Sequence, residues 1–337
     1  MSIASLETTL KPIRAFLDAP AVSELSINKP NEIWCDNGAV ATRVAIPYDY
    51  GMLERLAQLT ASFNNQIISD AKPILSGTLP GGYRIQIVRA PAALQVNRDG
   101  TTSNTISISI RKQTIRDFSV DGYAAGGGLS RVGVHASQQE TLNHDLNLLI
   151  DQKQYADFLK KAVKAKKTIL ISGGTYSGKT SVLNMLLKEL DPTERIITIE
   201  DAAEVVIHNE NQVRLFYTRG TQGIASVSAA DLITSCLRMR PDRIIMGELR
   251  GDDAVHWLAA ANSGHEGTLS TIHADTPAMA IEKMIEMVKL VRPGQTDESI
   301  RNYITSVIDI IIQIRKDHAT GERYISDIEW VKHANFI

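Results

Sequence analysis

The sequence has few cysteines, few aromatic residues and no excess of charge of either sign. Two cysteines, Cys35 and Cys236, are too few for a disulfide framework or for a zinc module with four cysteine ligands. The 36 basic and 38 acidic side chains give a formal charge of -2 over 337 residues, so nothing indicates the basic field of a sequence-independent nucleic-acid binder. Aromatic residues make up only 5% of the chain, and no groove of interleaved basic and aromatic residues is evident.

Long hydrophobic runs are also missing. The longest apolar stretch lies near 307–314, contains Asp309 and Gln313, and is far shorter than the roughly 20 residues of a membrane-spanning helix. The N-terminus carries Glu7 and lacks a continuous apolar core, which does not match a secretory signal peptide. We therefore expect no integral membrane segment and a cytoplasmic protein, free or held at a membrane by partners.

The composition that remains, 43% hydrophobic and 22% charged, is typical of a folded chain, and its length favours two domains. Apolar residues at helical spacing over 3–17, followed by strand-like runs and an Asn-Gly hairpin signal, predict an N-terminal α+β domain over 1–115. Residues 121–137 are rich in Gly, Ser and Ala and have no apolar period, which predicts a linker within the region 116–150. A long surface loop within one domain is the alternative.

Strands and helices alternate from 151 to 337, and this pattern predicts an α/β domain with a mainly parallel sheet. Residues 173–180 match the phosphate-loop pattern G-x-x-x-x-G-K-[ST] and stand between an apolar strand and a predicted helix. Backbone N–H groups of such a loop form an anion site; Lys179 would reach the β- and γ-phosphates of a nucleotide, and Thr180 would bind Mg²⁺. The predicted nucleotide-binding residues of this segment are Gly173, Gly174, Thr175, Tyr176, Ser177, Gly178, Lys179, Thr180 and Ser181.

Two further predicted strands end in carboxylates. Glu200 and Glu204 follow the run 195–199, and strand ends of this kind line the ligand crevice of parallel sheets, so Glu200 is a candidate to hold Mg²⁺ through water or to orient the attacking water. Gly247 and Glu248 follow the run 243–246, with glycine where many phosphate-loop proteins have the magnesium-binding aspartate. Glu248 is the candidate for polarising the attacking water, and Glu200 or Glu204 would share the outer shell of the metal. Solvation of the acids and a helix N-cap role for Glu248 are the alternatives.

His265 and His273 flank a third short apolar run. No second cluster with metal-ligand spacing accompanies them, so a zinc site is not predicted. Sensing of the γ-phosphate, relay of the nucleotide state to a neighbouring surface, and a buried structural role all stay open, with His273 the candidate for nucleotide binding.

Four segments in this order, GGTYSGKT, ITIEDAAE, RPDRIIMGELRG and GHEGTLSTIHAD, resemble the Walker A, Asp box, Walker B and His box of the type II/type IV secretion ATPase superfamily. The resemblance covers residues ~70–315, and the short N-terminal domain without a zinc-binding cysteine module is similar to the VirB-eleven-like branch, the type IV secretion traffic ATPases. It implies a Per-Arnt-Sim-like N-terminal domain and a RecA-like C-terminal domain. It also implies a hexameric ATPase, with ATP and Mg²⁺, at the cytoplasmic face of the bacterial inner membrane. Its partners would be inner-membrane secretion-system components and a coupling ATPase.

The resemblance also gives a role to arginines of the first domain. Arg84 alternates with the isoleucines of its predicted strand, and Arg111 lies on the face opposite the isoleucines of 105–111. The positions match family arginines whose guanidinium groups reach the phosphates from the N-terminal domain; solvated surface charge is the alternative. Arg89, and Arg240 for contact with an adjacent subunit, are further candidates.

Together these features predict an ATPase that powers substrate export, conjugative transfer or pilus biogenesis by a type IV secretion system. A pilus-retraction or type II secretion motor is one alternative. An ATP-dependent assembly scaffold with little turnover is another, although intact Lys179 and Glu248 argue against it. A nucleic-acid translocase is not favoured.

Overall fold

The computed structural model describes residues 3–97, 99–112, 119–218, 220 and 223–331, without the side chain of residue 135. The N-terminal part begins with a helix and continues into an antiparallel sheet in the strand order β4-β5-β6-β1-β2-β3. Its elements are α1 (Ile3–Asp18), β1 (Glu24–Ile27), β2 (Glu32–Asp36), β3 (Ala41–Ala45), α2 (Tyr50–Phe63), β4 (Ile74–Thr78), β5 (Arg84–Val96) and β6 (Thr102–Arg111).

Apolar periodicity explains the core of this part. The helical spacing of α1 buries one stripe, of which Leu6, Leu10 and Ile13 are members, and the side chain of Asp49 caps α2 by accepting the N–H of Met52. The helices pack with one face of the sheet, where isoleucines stand at paired positions of neighbouring strands. The predicted hairpin after Asp36 is present as the antiparallel pair β2–β3.

The region expected to be a linker contains helical structure. Two helices lie there, α3 (Val120–Ala125) and α4 (Val134–Asp151), with turns between them. α3 buries no residue, but Leu146 of α4 is fully buried in the core of the following part. Most of 134–150 is therefore an ordered helix, because leucines recur on one side of it. The predicted boundary at 115/116 lies outside the described residues.

The C-terminal part has the alternating order that the sequence predicts. Its elements are α5 (Tyr155–Lys164), β7 (Ile169–Gly173), α6 (Lys179–Leu187), β8 (Ile196–Glu200), β9 (Gln212–Phe216), α7 (Ala229–Cys236), β10 (Arg243–Leu249), α8 (Asp253–Ala261), β11 (Leu269–Ile272), α9 (Pro277–Val291), α10 (Asp297–Val307), β12 (Ile310–Lys316) and β13 (Arg323–Trp330). Strands β12-β7-β11-β10-β8-β9 are parallel, and β13 adds antiparallel to β12 at the edge. The mainly parallel sheet is confirmed, and the carboxyl ends of β7, β8, β10 and β11 meet at one edge of it.

The two parts join through one strand contact and a buried polar cluster. Ala93 of β5 pairs with Leu215 of β9. Arg195, at the start of β8, is buried and donates from Nη1 to the side-chain oxygens of Asn28 and Asn211, at 2.6 Å each. Arg240, a candidate for contact with an adjacent subunit, forms an ion pair with Asp36 of the N-terminal part.

No helix in the described ranges is long and apolar enough to cross a membrane.

Candidate nucleotide-binding and catalytic site

The predicted phosphate loop lies between the end of β7 and the start of α6. Gly178 stands before the helix with φ 100°, and Tyr176 has φ 57°, so the loop turns through two left-handed residues. At Gly173 a Cβ would lie 2.5 Å from the Ser177 hydroxyl and 2.9 Å from the Ile314 carbonyl oxygen, so glycine is required there by packing. Residues 175–181, from the loop and the first turn of α6, line one concavity. Backbone N–H groups at such a position suit an anion.

Lys179 points back into this loop. Its Nζ donates to the carbonyl oxygens of Gly173 at 3.0 Å and Gly174 at 2.9 Å, and it lies 3.1 Å from Nδ1 of His273. Burial lowers the pKa of Lys179, while the neighbouring Glu248 carboxylate acts in the opposite direction. A phosphate would replace the two carbonyl groups as the partner of this ammonium group, with a full negative charge.

His273 connects the lysine with Glu248. Because Nδ1 accepts from Lys179, the imidazole proton resides on Nε2, which lies 3.0 Å from Oε1 of Glu248. Burial and then the charge of Lys179 lower the pKa of His273, so the ring is neutral at neutral pH. Lys283 holds the segment by donating to the His273 carbonyl oxygen at 2.8 Å. Predicted residues from three different segments are therefore in contact.

One oxygen of Glu248 is held by Arg250, and the other is buried 3.0 Å from Nε2 of His273. Oε2 accepts from Arg250 at 2.5 Å. Oε1 is buried and, within the described part of the chain, has no aligned hydrogen-bond donor. A water molecule at this oxygen would find an acceptor held in place by the rest of the side chain, which is the arrangement that a general base needs.

Thr180 and Glu204 meet at the other side of the loop. The Thr180 hydroxyl donates to Oε2 of Glu204 at 3.1 Å. A Cβ on Gly247 would lie 3.7 Å from the Ile199 carbonyl oxygen, an ordinary contact, so packing does not explain glycine in place of the usual aspartate. The described residues contain no cluster of three His, Cys, Asp or Glu ready to hold a metal. A hydroxyl and a carboxylate oxygen nevertheless suit Mg²⁺, which takes few protein ligands and binds mainly water and phosphate.

Glu200 is placed differently from our expectation. It is 1% exposed, and both its oxygens accept hydrogen bonds from Arg214 of β9, with N–O distances of 2.8–3.0 Å. Oε1 also accepts from the Thr198 hydroxyl, and Oε2 accepts the N–H groups of Glu204 and Val205. Protein donors thus bind both oxygens of Glu200, and two of these donors are backbone N–H groups of the loop that carries Glu204.

A cavity of about 560 Å³ connects these groups, within the range of volumes that ligand sites have. Residues that line it come from the phosphate loop, the ends of β8, β10 and β11, and the edge strand β13. They are Thr175, Tyr176, Ser177, Gly178, Lys179, Thr180, Ser181, Asp201, Ala202, Glu204, Val205, Gly247, Glu248, Arg250, Thr271, His273 and Arg323.

The predicted arginines of the N-terminal part are not in this cavity. Arg84 and Arg111 stand opposite each other in the β5–β6 pair, both exposed at the end of the antiparallel sheet. Arg89 is occupied by Glu54 at 2.9 Å and Asp70 at 2.8 Å. His265 also lies elsewhere, with Nδ1 3.3 Å from the Pro241 carbonyl oxygen.

Two lining arginines were not predicted. Arg250 is two residues after Glu248, and its proximity to the catalytic candidate was a signal that we did not use. Arg323 carries no such signal, because only the pairing of β13 with β12 brings it to the loop.

Comparisons with known proteins cover both parts of the chain. The family described as "Type II/IV secretion system protein" matches residues 7–317. The VirB11 protein of the type IV secretion system of Bartonella henselae is 38% identical over 94% of this chain and 90% of its own length. That of Brucella suis is 35% identical over 96% and 90%. The crystal structure of the Brucella suis VirB11 ATPase with sulphate has a TM-score of 0.89, at 35% identity, over 98% of this chain and 96% of that one.

Proposed function

The chain belongs to the type II/IV secretion system protein family, in its VirB11-like branch, and on this premise we propose that it hydrolyses ATP to power a type IV secretion system. The observation that carries the proposal is the contact series Lys179–His273–Glu248 at the mouth of a phosphate loop. It joins a cation for the terminal phosphates to a carboxylate whose Oε1, 3.0 Å from Nε2 of His273, has no aligned donor among the described residues.

Each residue of the site has a distinct role in the proposed hydrolysis. Loop N–H groups and Lys179 bind the phosphates, and Lys179 exchanges the carbonyl oxygens of Gly173 and Gly174 for phosphate oxygens. Oε1 of Glu248 accepts a proton from the attacking water, while Arg250 keeps the carboxylate oriented. The imidazole of His273 contacts both Lys179 and Glu248 and so keeps the two side chains next to each other. Thr180, with Glu204, would hold Mg²⁺, which when bound offsets the negative charge of the phosphates.

Larger assembly is part of the same proposal. We assign a Per-Arnt-Sim-like domain to 1–115 and a RecA-like P-loop domain to 151–337, joined by the region 116–150, of which α4 is a helical portion. The working form is a hexamer at the cytoplasmic side of the inner membrane, in contact with membrane components of the secretion system and a coupling ATPase. Arg84 and Arg111 would reach a nucleotide only after the N-terminal domain moves, or from a neighbouring copy.

An assembly scaffold that binds ATP with little turnover is the second candidate, and one comparison separates the two. ATP turnover and ATP affinity are measured for the wild type, for Glu248→Gln and for Glu286→Gln, an exposed acid of α9. We expect Glu248→Gln to lose turnover while still binding ATP, and Glu286→Gln to match the wild type. A wild type that binds ATP but turns over no faster than Glu248→Gln, even with membrane partners present, would establish the scaffold.

A further inference from the structure

Arg323 connects the edge of the sheet to the phosphate loop. It is the first residue of β13 and pairs with Lys316 of β12 at the end of that hairpin. Its Nε donates to the Tyr176 carbonyl oxygen at 3.0 Å, across 147 positions of sequence. Within the described ranges this is the one hydrogen bond of the guanidinium group, and no acidic side chain there forms an ion pair with it. No salt bridge among the described residues therefore fixes Arg323 beside the loop.

Tyr176 has a backbone conformation that this hydrogen bond would stabilise. Its φ of 57° is left-handed, a conformation that residues other than glycine seldom adopt, and the residue is 84% exposed. The ring thus has little packing to hold the backbone in this conformation. The hydrogen bond to the carbonyl oxygen acts on the peptide group itself.

The side chain of Arg323 also packs against Gly178 of the loop. A Cβ at Gly178 would lie 3.0 Å from Cδ of Arg323, and the residue has φ 100°. The aliphatic part of Arg323 therefore covers the second left-handed residue, while Nε holds the first. Both left-handed residues of the loop are therefore next to one side chain from a distant strand.

We propose that Arg323 is a positioning residue for the nucleotide site: it holds Tyr176 in its left-handed conformation and so keeps the phosphate loop ready for a nucleoside diphosphate or triphosphate. The proposal rests on the proposed function, because it concerns the same site. It makes the β12–β13 hairpin part of that site, although the hairpin lies outside the phosphate-loop motif.

The experiment measures ADP affinity with Mg²⁺ by calorimetry in the full-length protein. Arg323→Gln should weaken ADP binding roughly tenfold, the effect of losing one charge-assisted hydrogen bond at an exposed site. Arg323→Lys, which keeps a donor, should recover part of the affinity. Lys316→Gln removes the same charge from the paired position and should stay within about twofold of the wild type. Thermal unfolding of each variant checks that it is folded.

A glycine at position 176 distinguishes positioning from direct phosphate contact. Glycine adopts positive φ without help, so in a Tyr176→Gly background Arg323→Gln should change ADP affinity by less than about threefold. A full tenfold loss in that background would overturn the proposal and make Arg323 a phosphate ligand. Equal affinity of Arg323→Gln and Lys316→Gln would overturn it as well. Failure of the proposed function looks different, because the wild type itself would then not bind ADP or not turn over ATP.

Discussion

Glu200 offers the sharpest test of the structure against the sequence. The motif pattern makes it a candidate for metal or water binding, whereas the structure uses both its oxygens to bind Arg214 and the backbone of the following loop. The two side chains are 1% and 9% exposed. Glu200→Gln removes one charge of a buried pair and leaves Arg214 without its counterion, which costs about 3–5 kcal/mol. For a unit of 150–250 residues this lowers the melting temperature by roughly 10 °C.

A double-mutant cycle with Arg214→Met isolates the pair. Glu200→Met and Arg214→Met are each expected to melt well below the wild type. The double variant should lose less than the sum of these two single changes, because no charge is then left unpaired. Recovery should be incomplete, since the N–H groups of Glu204 and Val205 lose their acceptor. The assay is thermal unfolding followed by circular dichroism, with ATP turnover measured below the transition. If Glu200→Gln melted within about 2 °C of the wild type but had no turnover, the carboxylate would act on the substrate and our reasoning would be refuted.

Three further changes test separate features. Glu248→Gln is expected to reduce turnover by roughly 10²–10⁴-fold, the usual contribution of a general base, with ATP affinity retained; a similar loss in both quantities would point to binding instead. Gly267 has φ 75°, and in Gly267→Ala the new Cβ would lie 2.4 Å from Nη1 of the buried Arg243. The free energy of unfolding should therefore fall by roughly 2–4 kcal/mol. In the control Gly294→Ala the new Cβ meets no atom within 4 Å, and stability should change little. Burial lowers the pKa of His265 from its ordinary 6.5, so the folded form binds protons less readily than the unfolded chain and loses stability as the pH falls below that value. Urea unfolding at pH 7.5 and 5.5 should show a smaller loss for His265→Gln than for the wild type, and an equal loss would contradict this assignment.

Local patterns in the sequence were sufficient for the phosphate loop and for the alternation of strands and helices. A left-handed Gly178 before a helix and a buried strand before the loop follow from glycine positions and apolar runs, which are properties of neighbouring residues. Convergence of Lys179, His273 and Glu248 was also predictable in outline, because the ends of parallel strands meet at one edge.

Side-chain contacts between neighbouring strands could not be predicted from the sequence. Glu200 stands at a strand end as expected, but Arg214, on the neighbouring parallel strand β9, decides that its carboxylate is bound rather than free. Similarly, α4 packs where glycine-rich composition suggested a linker, because the composition of 121–137 says nothing about Leu146.

The sequence by itself determined which chemical groups line the proposed phosphate site, since the loop, its lysine and the strand-end acids are encoded in short segments whose geometry is local. Only the tertiary structure decided which of those groups are free to act and which distant ones join them. Arg323 reaches the loop, Glu200 forms an ion pair with Arg214, and Arg84 and Arg111 do not line the cavity. The physical reason is that hydrogen-bond partners and burial depend on strand order and register, which bring residues together over separations that no local pattern records.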